Sequence, residues 1–348
     1  MSAGDRLEEK PEGGLSGGGG LAVDQSTLDR VRRLRDAVRD QVGRVVVGNE
    51  AAVDTMLLAL VAGGHVLLEG VPGVAKTTLS KAFAQVLGLD FQRIQFTPDL
   101  MPSDITGTSV LDRKSGEFVL RKGPVFCQVL LADEINRAPA KTQAALLEAM
   151  QEGQVTLEGQ SMPLPKPFMV MATQNPVEQE GVYRLPEAQL DRFLVRVLMG
   201  YPGRDHEVRM LDLKMDAPAK VERLLDADQI QELRALCPAV HGEPHLHEYI
   251  IDLSLASREH PDLLLGASPR GALCLLRCAR AHALLDGRAY FTHQDVQAVA
   301  QYTLAHRLIL RPEAEIEGRR TADVVEELLQ SVPVLDADPA AGAGRGGR

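Results

Sequence analysis

Gly70-Val-Pro-Gly-Val-Ala-Lys-Thr-Thr78 is the stretch on which the fold turns. It follows a short apolar run, His65–Glu69, and opens a helical pattern over Thr77–Leu87. A loop of this composition between strand and helix turns several backbone N–H groups inward at a helix N-terminus, where the peptide dipoles favour an anion. Lys76 is placed to reach β- and γ-phosphates, and the Thr77 hydroxyl to ligate Mg²⁺. Gly70, Pro72, Gly73, Val74, Ala75, Lys76, Thr77 and Thr78 are therefore the expected phosphate-binding residues. The usual signature has glycine where Ala75 stands; a methyl costs little there if φ is negative. A plain Gly/Pro turn before a helix is the alternative, and Lys-Thr behind a strand argues against it.

Working outward, Phe91–Gln95, Val129–Ala132, Phe168–Thr173 and Leu194–Met199 also read as buried strands, with helical stretches such as Lys141–Gln151 between them. Such alternation predicts an α/β fold with a mainly parallel sheet and helices on both faces. The strand Val129-Leu-Leu-Ala runs into Asp133-Glu134. Carboxylates at the end of a buried strand are costly unless they are paired or face a metal. Asp133 suits a hold on Mg²⁺, and Glu134 suits the base that orients an attacking water. Asn175, in Gln174-Asn175-Pro176, ends another strand; it reads either as a bridge between water and γ-phosphate or as a turn residue before proline.

The character of the chain changes near Pro202. Amphipathic segments near 228–237, 246–259, 269–285 and 293–308 follow, with no convincing strand among them. Ser268-Pro269 offers an N-cap and a proline at the first helical position, and Thr292-His-Gln-Asp295 a capping box. At the other end, a helix starts near Ser26 or Thr27. The expected layout is a Gly-rich disordered tail over 1–24, an α/β core over 25–201, a helical domain over 202–332 and a second disordered tail over 333–348.

The chain has 348 residues, 48 acidic against 38 Lys and Arg, and a net charge of -10, with no Trp. This balance weighs against a protein that coats nucleic acid or an anionic membrane, and stacking platforms are scarce. No run approaches the ~18 apolar residues of a membrane span. Met1–Gly20 has no apolar segment of the signal-peptide kind. Cys127, Cys237, Cys274 and Cys278 make no disulfide framework, so the cytoplasm is the expected compartment. His241, His245, His247 and His260 lack the partners of a structural zinc site.

Taken together, the order of pieces resembles the AAA+ ATPases, and within them the MoxR family. Residues 70–77, Asp133-Glu-Ile-Asn-Arg-Ala-Pro139, Leu146-Leu-Glu-Ala-Met-Gln-Glu152, Ala172-Thr-Gln-Asn-Pro176 and Leu185-Pro-Glu-Ala-Gln-Leu-Asp-Arg-Phe193 carry the resemblance. It implies an AAA+ P-loop core with a five-stranded sheet and a small all-helical lid, using ATP and Mg²⁺. By the same resemblance Asn175 is sensor 1, Arg192 the arginine finger given to a neighbour, and Arg270 sensor 2 in the lid. Val46-Val-Gly48 is the segment that lines adenine, so Gly48 joins the binding residues. Residues 98–125 fall at an insertion into helix 2, and 154–165 at a hairpin before sensor 1. The family implies a homo-oligomeric ring, a hexamer, acting as a chaperone-like ATPase on a protein client, one with a von Willebrand factor A domain, sometimes aiding metal or cofactor insertion. A nucleic-acid remodeller and a nucleotide-gated scaffold with little hydrolysis are the alternatives.

Overall fold

The computed structural model describes residues 24–114, 116–175, 183, 185–215 and 220–334. The expected tails lie outside these residues, apart from Asp24, Pro333 and Val334. In chain order, α1 (Gln25–Gly43), α2 (Glu50–Val61), β1 (Val66–Gly70), α3 (Lys76–Val86) and β2 (Phe91–Gln95) lead to α4 (Pro102–Thr106) and the hairpin β3 (Gly107–Leu111) and β4 (Phe118–Lys122). Then come β5 (Val129–Asp133), a 3-10 turn at Ile135–Arg137, and α5 (Ala140–Glu152). The hairpin β6 (Gln154–Leu157) and β7 (Gln160–Pro163), β8 (Met169–Gln174), α6 (Glu187–Leu190) and β9 (Val195–Met199) complete the first part. Beyond it run α7 (Arg204–Met215), α8 (Ala227–Leu236), α9 (Pro244–Glu259), β10 (Leu263–Leu265), α10 (Pro269–Leu285) and α11 (His293–Leu304). Last come β11 (Ile309–Leu310), α12 (Pro312–Ile316) and α13 (Thr321–Ser331).

Five parallel strands form the central sheet in the order β2-β5-β8-β1-β9. Because side chains alternate along a strand, β1 sends Val66 and Leu68 into one core and Leu67 into the other. The first core takes in α1, α2 and α3 and continues without a break into α8–α11 and α13, so the helical part shares a core with one sheet face. The second core holds α5 and the inner side of the insertion. All five strand C-termini point to one end, where the loop after β1 lies next to the ends of β8 and β5.

The five strands match the expected runs to within a residue, and both hairpins form inside the expected segments. Three details differ. The cap of α1 is Asp24, whose carboxylate accepts from Thr27 N–H at 2.9 Å, not Ser26 or Thr27. The helical part contains a two-stranded antiparallel ribbon, β10 with β11, where no strand is expected. Helix α2, with nine of its twelve residues buried, has no amphipathic stripe to betray it. The caps at Ser268 and Thr292 are as read: Ser268 Oγ accepts from Gly271 N–H at 3.1 Å, and Asp295 accepts from Thr292 N–H at 2.7 Å.

Candidate functional site

The loop after β1 is built by close approach. A Cβ on Gly70 would lie 2.3 Å from the Met199 carbonyl of β9, so only glycine lets the two strand ends meet here. Gly73 has φ +87°. Ala75 has φ +61° and ψ +26°, left-handed backbone, so the condition under which a methyl costs little, a negative φ, is not met. Its methyl is therefore not free of cost, and the position stores about 1–3 kcal/mol. Lys76 is the first residue of α3, and its Nζ donates to the Gly70 carbonyl across the loop. Thr77 is half-buried, Thr78 and Pro72 are exposed, and Val74 is buried against the first core.

Asp133 and Glu134 sit at the tip of β5. Asp133 is buried, and both of its oxygens accept hydrogen bonds. Oδ1 accepts from Thr173 Oγ1 at 2.6 Å. Oδ2 accepts from Thr77 Oγ1 at 3.2 Å and from Arg93 Nε and Nη2 at 3.0 and 2.7 Å. Thr173 also accepts from Glu134 N–H at 2.8 Å, so one hydroxyl fixes both acids. Glu134 has φ +57°, and its carboxylate accepts from Gln95 Nε2 at 2.8 Å and Arg137 Nη1 at 3.1 Å. Arg93 Nη2 donates to Gln95 Oε1 at 2.8 Å, which closes a chain from one acid to the other. Asn175 is buried one residue past β8, between the acids and the loop. Pro176, which follows it, lies outside the described residues.

Thr77 and Asp133 together fit a divalent cation: they are hard oxygen donors within hydrogen-bond distance of each other, as Mg²⁺ prefers. A cavity of about 320 Å³ opens beside the loop between Val45–Val47, Val74, Tyr201, Pro202 and Leu211. This is at the small end of the ~300–1,000 Å³ typical of small-molecule pockets. Val46 and Val47 line it. Gly48 does not: its φ is +78°, a Cβ would lie 2.7 Å from the His206 ring, and it borders a different cavity with Met199 and Tyr201.

Arg192 and Arg270 lie elsewhere. Both line a cavity of about 170 Å³ with Gly63, Gly64 and His65, at the N-terminal end of β1. Within one chain they are thus at the opposite end of the sheet from Lys76, which marks the C-terminal end. The same cavity is bordered by Arg277, which donates to the Ala62 and Gly63 carbonyls at the end of α2. His65 is held between elements: its Nδ1 accepts from Val170 N–H and its Nε2 lies 3.0 Å from the Met150 carbonyl. Burial, reinforced by Arg234, Arg277 and Arg270, pushes its pKa down to about 4, so it is neutral at pH 7.

Residues not foreseen from the sequence are Arg93, Gln95, Arg137 and Thr173. Thr173 stands inside a quoted motif, whereas Arg93 and Gln95 alternate on an edge strand whose pairing with β5 no local pattern announces. Two groups of histidine with carboxylates do gather among the described residues, His260 with Asp262 and Glu327, and His282 with Asp286 and Asp295. In each group one guanidinium already bridges the two acids, Arg319 between Asp262 and Glu327 and Arg288 between Asp286 and Asp295. All four cysteines are buried and free.

Residues 65–195 match the ATPase family associated with various cellular activities (AAA), and residues 255–328 match the AAA lid domain. Chaperone MoxR1 of Mycobacterium tuberculosis is 42% identical over 96% of this chain and 89% of its own length. The uncharacterized protein YeaC of Bacillus subtilis is 47% identical over 85% of this chain and 93% of its own. In three dimensions, the 2.00 Å crystal structure of a candidate ATPase from Cytophaga hutchinsonii superposes with a TM-score of 0.83 at 42% identity, covering 90% of this chain and 99% of that one. With a phosphate loop, strand-end acids and a helical lid matched over nearly the whole length, this chain belongs to the MoxR family of AAA+ ATPases.

Proposed function

We propose that the protein hydrolyses ATP only when assembled head to tail in a homo-oligomeric ring, and uses the cycle to remodel a client protein. The observation that carries this is the separation within one chain: loop, Asp133 and Glu134 at one end of the sheet, Arg192 and Arg270 at the other. A neighbour turned the same way brings its arginines to this chain's loop. Loop amides and Lys76 hold the β- and γ-phosphates. Thr77 and Asp133 would hold Mg²⁺, which when bound supplies neutralising charge at those oxygens. Glu134 accepts a hydrogen bond from the attacking water and aligns it in line. Asn175 steadies that water against the γ-phosphate. Arg192 and Arg270 of the neighbour meet the charge that develops on the transferred group, a contribution worth ~10³–10⁵ in rate for related transfers.

The client surface we assign to the β3–β4 hairpin. Val110 pairs with Val119 and Leu111 with Phe118, so both faces of the ribbon carry exposed apolar side chains, Phe118 at 73%. The relative named a chaperone supports a protein client. Among such clients we favour one with a von Willebrand factor A domain, met in the cytoplasm, with delivery of a metal or cofactor as one outcome. Among the described residues no helix is long and apolar enough to cross a membrane.

Glu134→Gln is expected to bind ATP normally and to lose nearly all turnover, as read by equilibrium nucleotide binding beside phosphate release. A variant that hydrolyses at the wild-type rate removes Glu134 from the mechanism. Arg192→Ala should be inactive alone and regain turnover when mixed with Lys76→Ala, since each supplies the half the other lacks. No recovery in the mixture defeats the trans arrangement.

A further inference from the structure

Arg307, just past α11, sits at the junction of core and lid with its side chain 2% exposed. Nε donates to Asp191 Oδ1 at 2.8 Å. Nη2 donates to the Phe193 carbonyl at 2.6 Å, and Nη1 to the Leu194 carbonyl at 3.2 Å. A weaker contact runs from Nη2 to the Asp191 carbonyl at 3.4 Å. The residue these contacts bracket is Arg192. Asp191 Oδ2 in turn accepts from Ser268 Oγ at 3.3 Å, and Ser268 caps the helix whose second residue is Arg270. One lid guanidinium and one core carboxylate therefore hold the roots of both arginines.

Burying a guanidinium costs several kcal/mol unless its donors are satisfied, and a hydrophobic residue would join two domains at less cost. Nη1 also donates to the Thr303 carbonyl and lies 2.8 Å from His306 Nε2, and Nη2 lies 3.3 Å from Cys274 Sγ. The guanidinium is thus anchored in the helical part while its remaining donors hold the Asp191–Leu194 segment in position and angle. A rigid guanidinium suits this role, since its planar donors hold a fixed geometry where a lysine would hold only a distance. Geometry matters because a misplacement of about 1 Å at a reacting centre can cost ~10²-fold in rate.

We propose that Arg307 is the positioning residue of the inter-subunit arginine pair, locking the Arg192 segment and the start of the Arg270 helix into one unit across the core–lid boundary. It touches no nucleotide itself. This rests on the trans arrangement above, and it predicts a defect confined to the donating half of each subunit.

The test is turnover in mixed assemblies, with Arg307→Gln and Arg307→Lys and, because a buried arginine is a risk to folding, the milder Asp191→Asn. Alone, Arg307→Gln and Asp191→Asn should lose on the order of 10²-fold in turnover while keeping the wild-type Kd for ATP; Arg307→Lys should lose less. Mixed with Lys76→Ala, which still donates arginines, either variant should recover activity. Mixed with Arg192→Ala, whose donating half is itself incomplete, neither should. Recovery in neither mixture, with a weakened Kd for ATP, marks a general structural role and overturns the proposal. A folded Asp191→Asn that turns over at the wild-type rate overturns it as well, and decides the matter if Arg307→Gln does not fold. The control mixture of Arg192→Ala with Lys76→Ala separates these results from failure of the trans arrangement: if it stays inactive, that arrangement falls first.

Discussion

Ala75 and Glu134 stand on either side of the phosphate site, and both hold left-handed backbone, at φ +61° and +57°. Left-handed conformation costs an L-residue about 1–2 kcal/mol, and it persists where surrounding structure over-determines it. Ala75 is the N-cap residue through which the loop enters α3. Ala75→Gly should relieve that strain and give back about 0.4–1 kcal/mol through the freer unfolded chain. The expected net gain is about 0.5–1 kcal/mol, or a Tm higher by roughly 1–4 °C for a domain of this size. Ala75→Val should do the reverse, since a β-branched side chain tolerates positive φ poorly. Thermal melts of both variants check this, and a Tm lowered by glycine contradicts the strain. At Glu134 the same backbone has a different use: it turns the carboxylate toward the Gln95 amide and Arg137, which hold it with two donors.

His65 shows how elements are joined at the far end of the sheet. One neutral ring links β1 to β8 through Val170 and to α5 through Met150. Its pKa is depressed to about 4 by burial and by the neighbouring arginines, against about 6.5 in the unfolded chain. Between those values the unfolded chain binds the extra proton, so stability rises with pH; it is fully present above about 6.5 and is lost as pH falls toward 4. The buried His306, held well below its ordinary value by burial and then by Arg307, acts in the same direction. Melting temperature should therefore fall from pH 7 to 4, and His65→Asn should lower it at pH 7 while flattening that slope. An unchanged slope removes His65 from the account. Its part was hidden in the sequence, where His65 reads only as the first residue of an apolar run. The strands themselves were legible because buried parallel strands leave uninterrupted apolar runs. Helix α2 was not, because an all-round apolar helix carries no stripe, and β10 and β11, three and two residues long, are too short to leave a pattern. The site divides the same way. The loop and the Asp-Glu pair are local in sequence and could be read, whereas Arg93, Gln95 and Arg307 reach their partners from 40, 39 and 116 residues away.

At the scale of the whole molecule, the net charge of -10 conceals a polarised distribution. Arg192, Arg270 and Arg277 converge on one small cavity at one end of the sheet, and Arg234 borders the next cavity along. The opposite end bears the loop that would hold a triphosphate. Like charges packed this way repel one another: Arg234 has its pKa lowered by burial and then by Arg277. In the proposed ring, an anion brought by a neighbour would relieve that repulsion, so nucleotide and assembly would favour each other. Unlike surfaces that meet head to tail form a heterologous interface, which closes into a ring when the rotation allows. Composition spoke against wide nucleic-acid surfaces, and it says nothing against this confined cationic face. On the proposed trans arrangement, specific ATPase activity should rise steeply with protein concentration, because a dilute subunit would lack its neighbour's arginines, a contribution worth ~10³–10⁵ in rate for related transfers. Activity at fixed concentration should also fall with added salt, which screens the attraction between the two faces. Phosphate release across a dilution series, alongside light scattering for mass, gives the measurement. Turnover per subunit that stays constant from the monomer to the assembled form would mean that each chain completes its own site, and that Arg192 and Arg270 act at neither end of it.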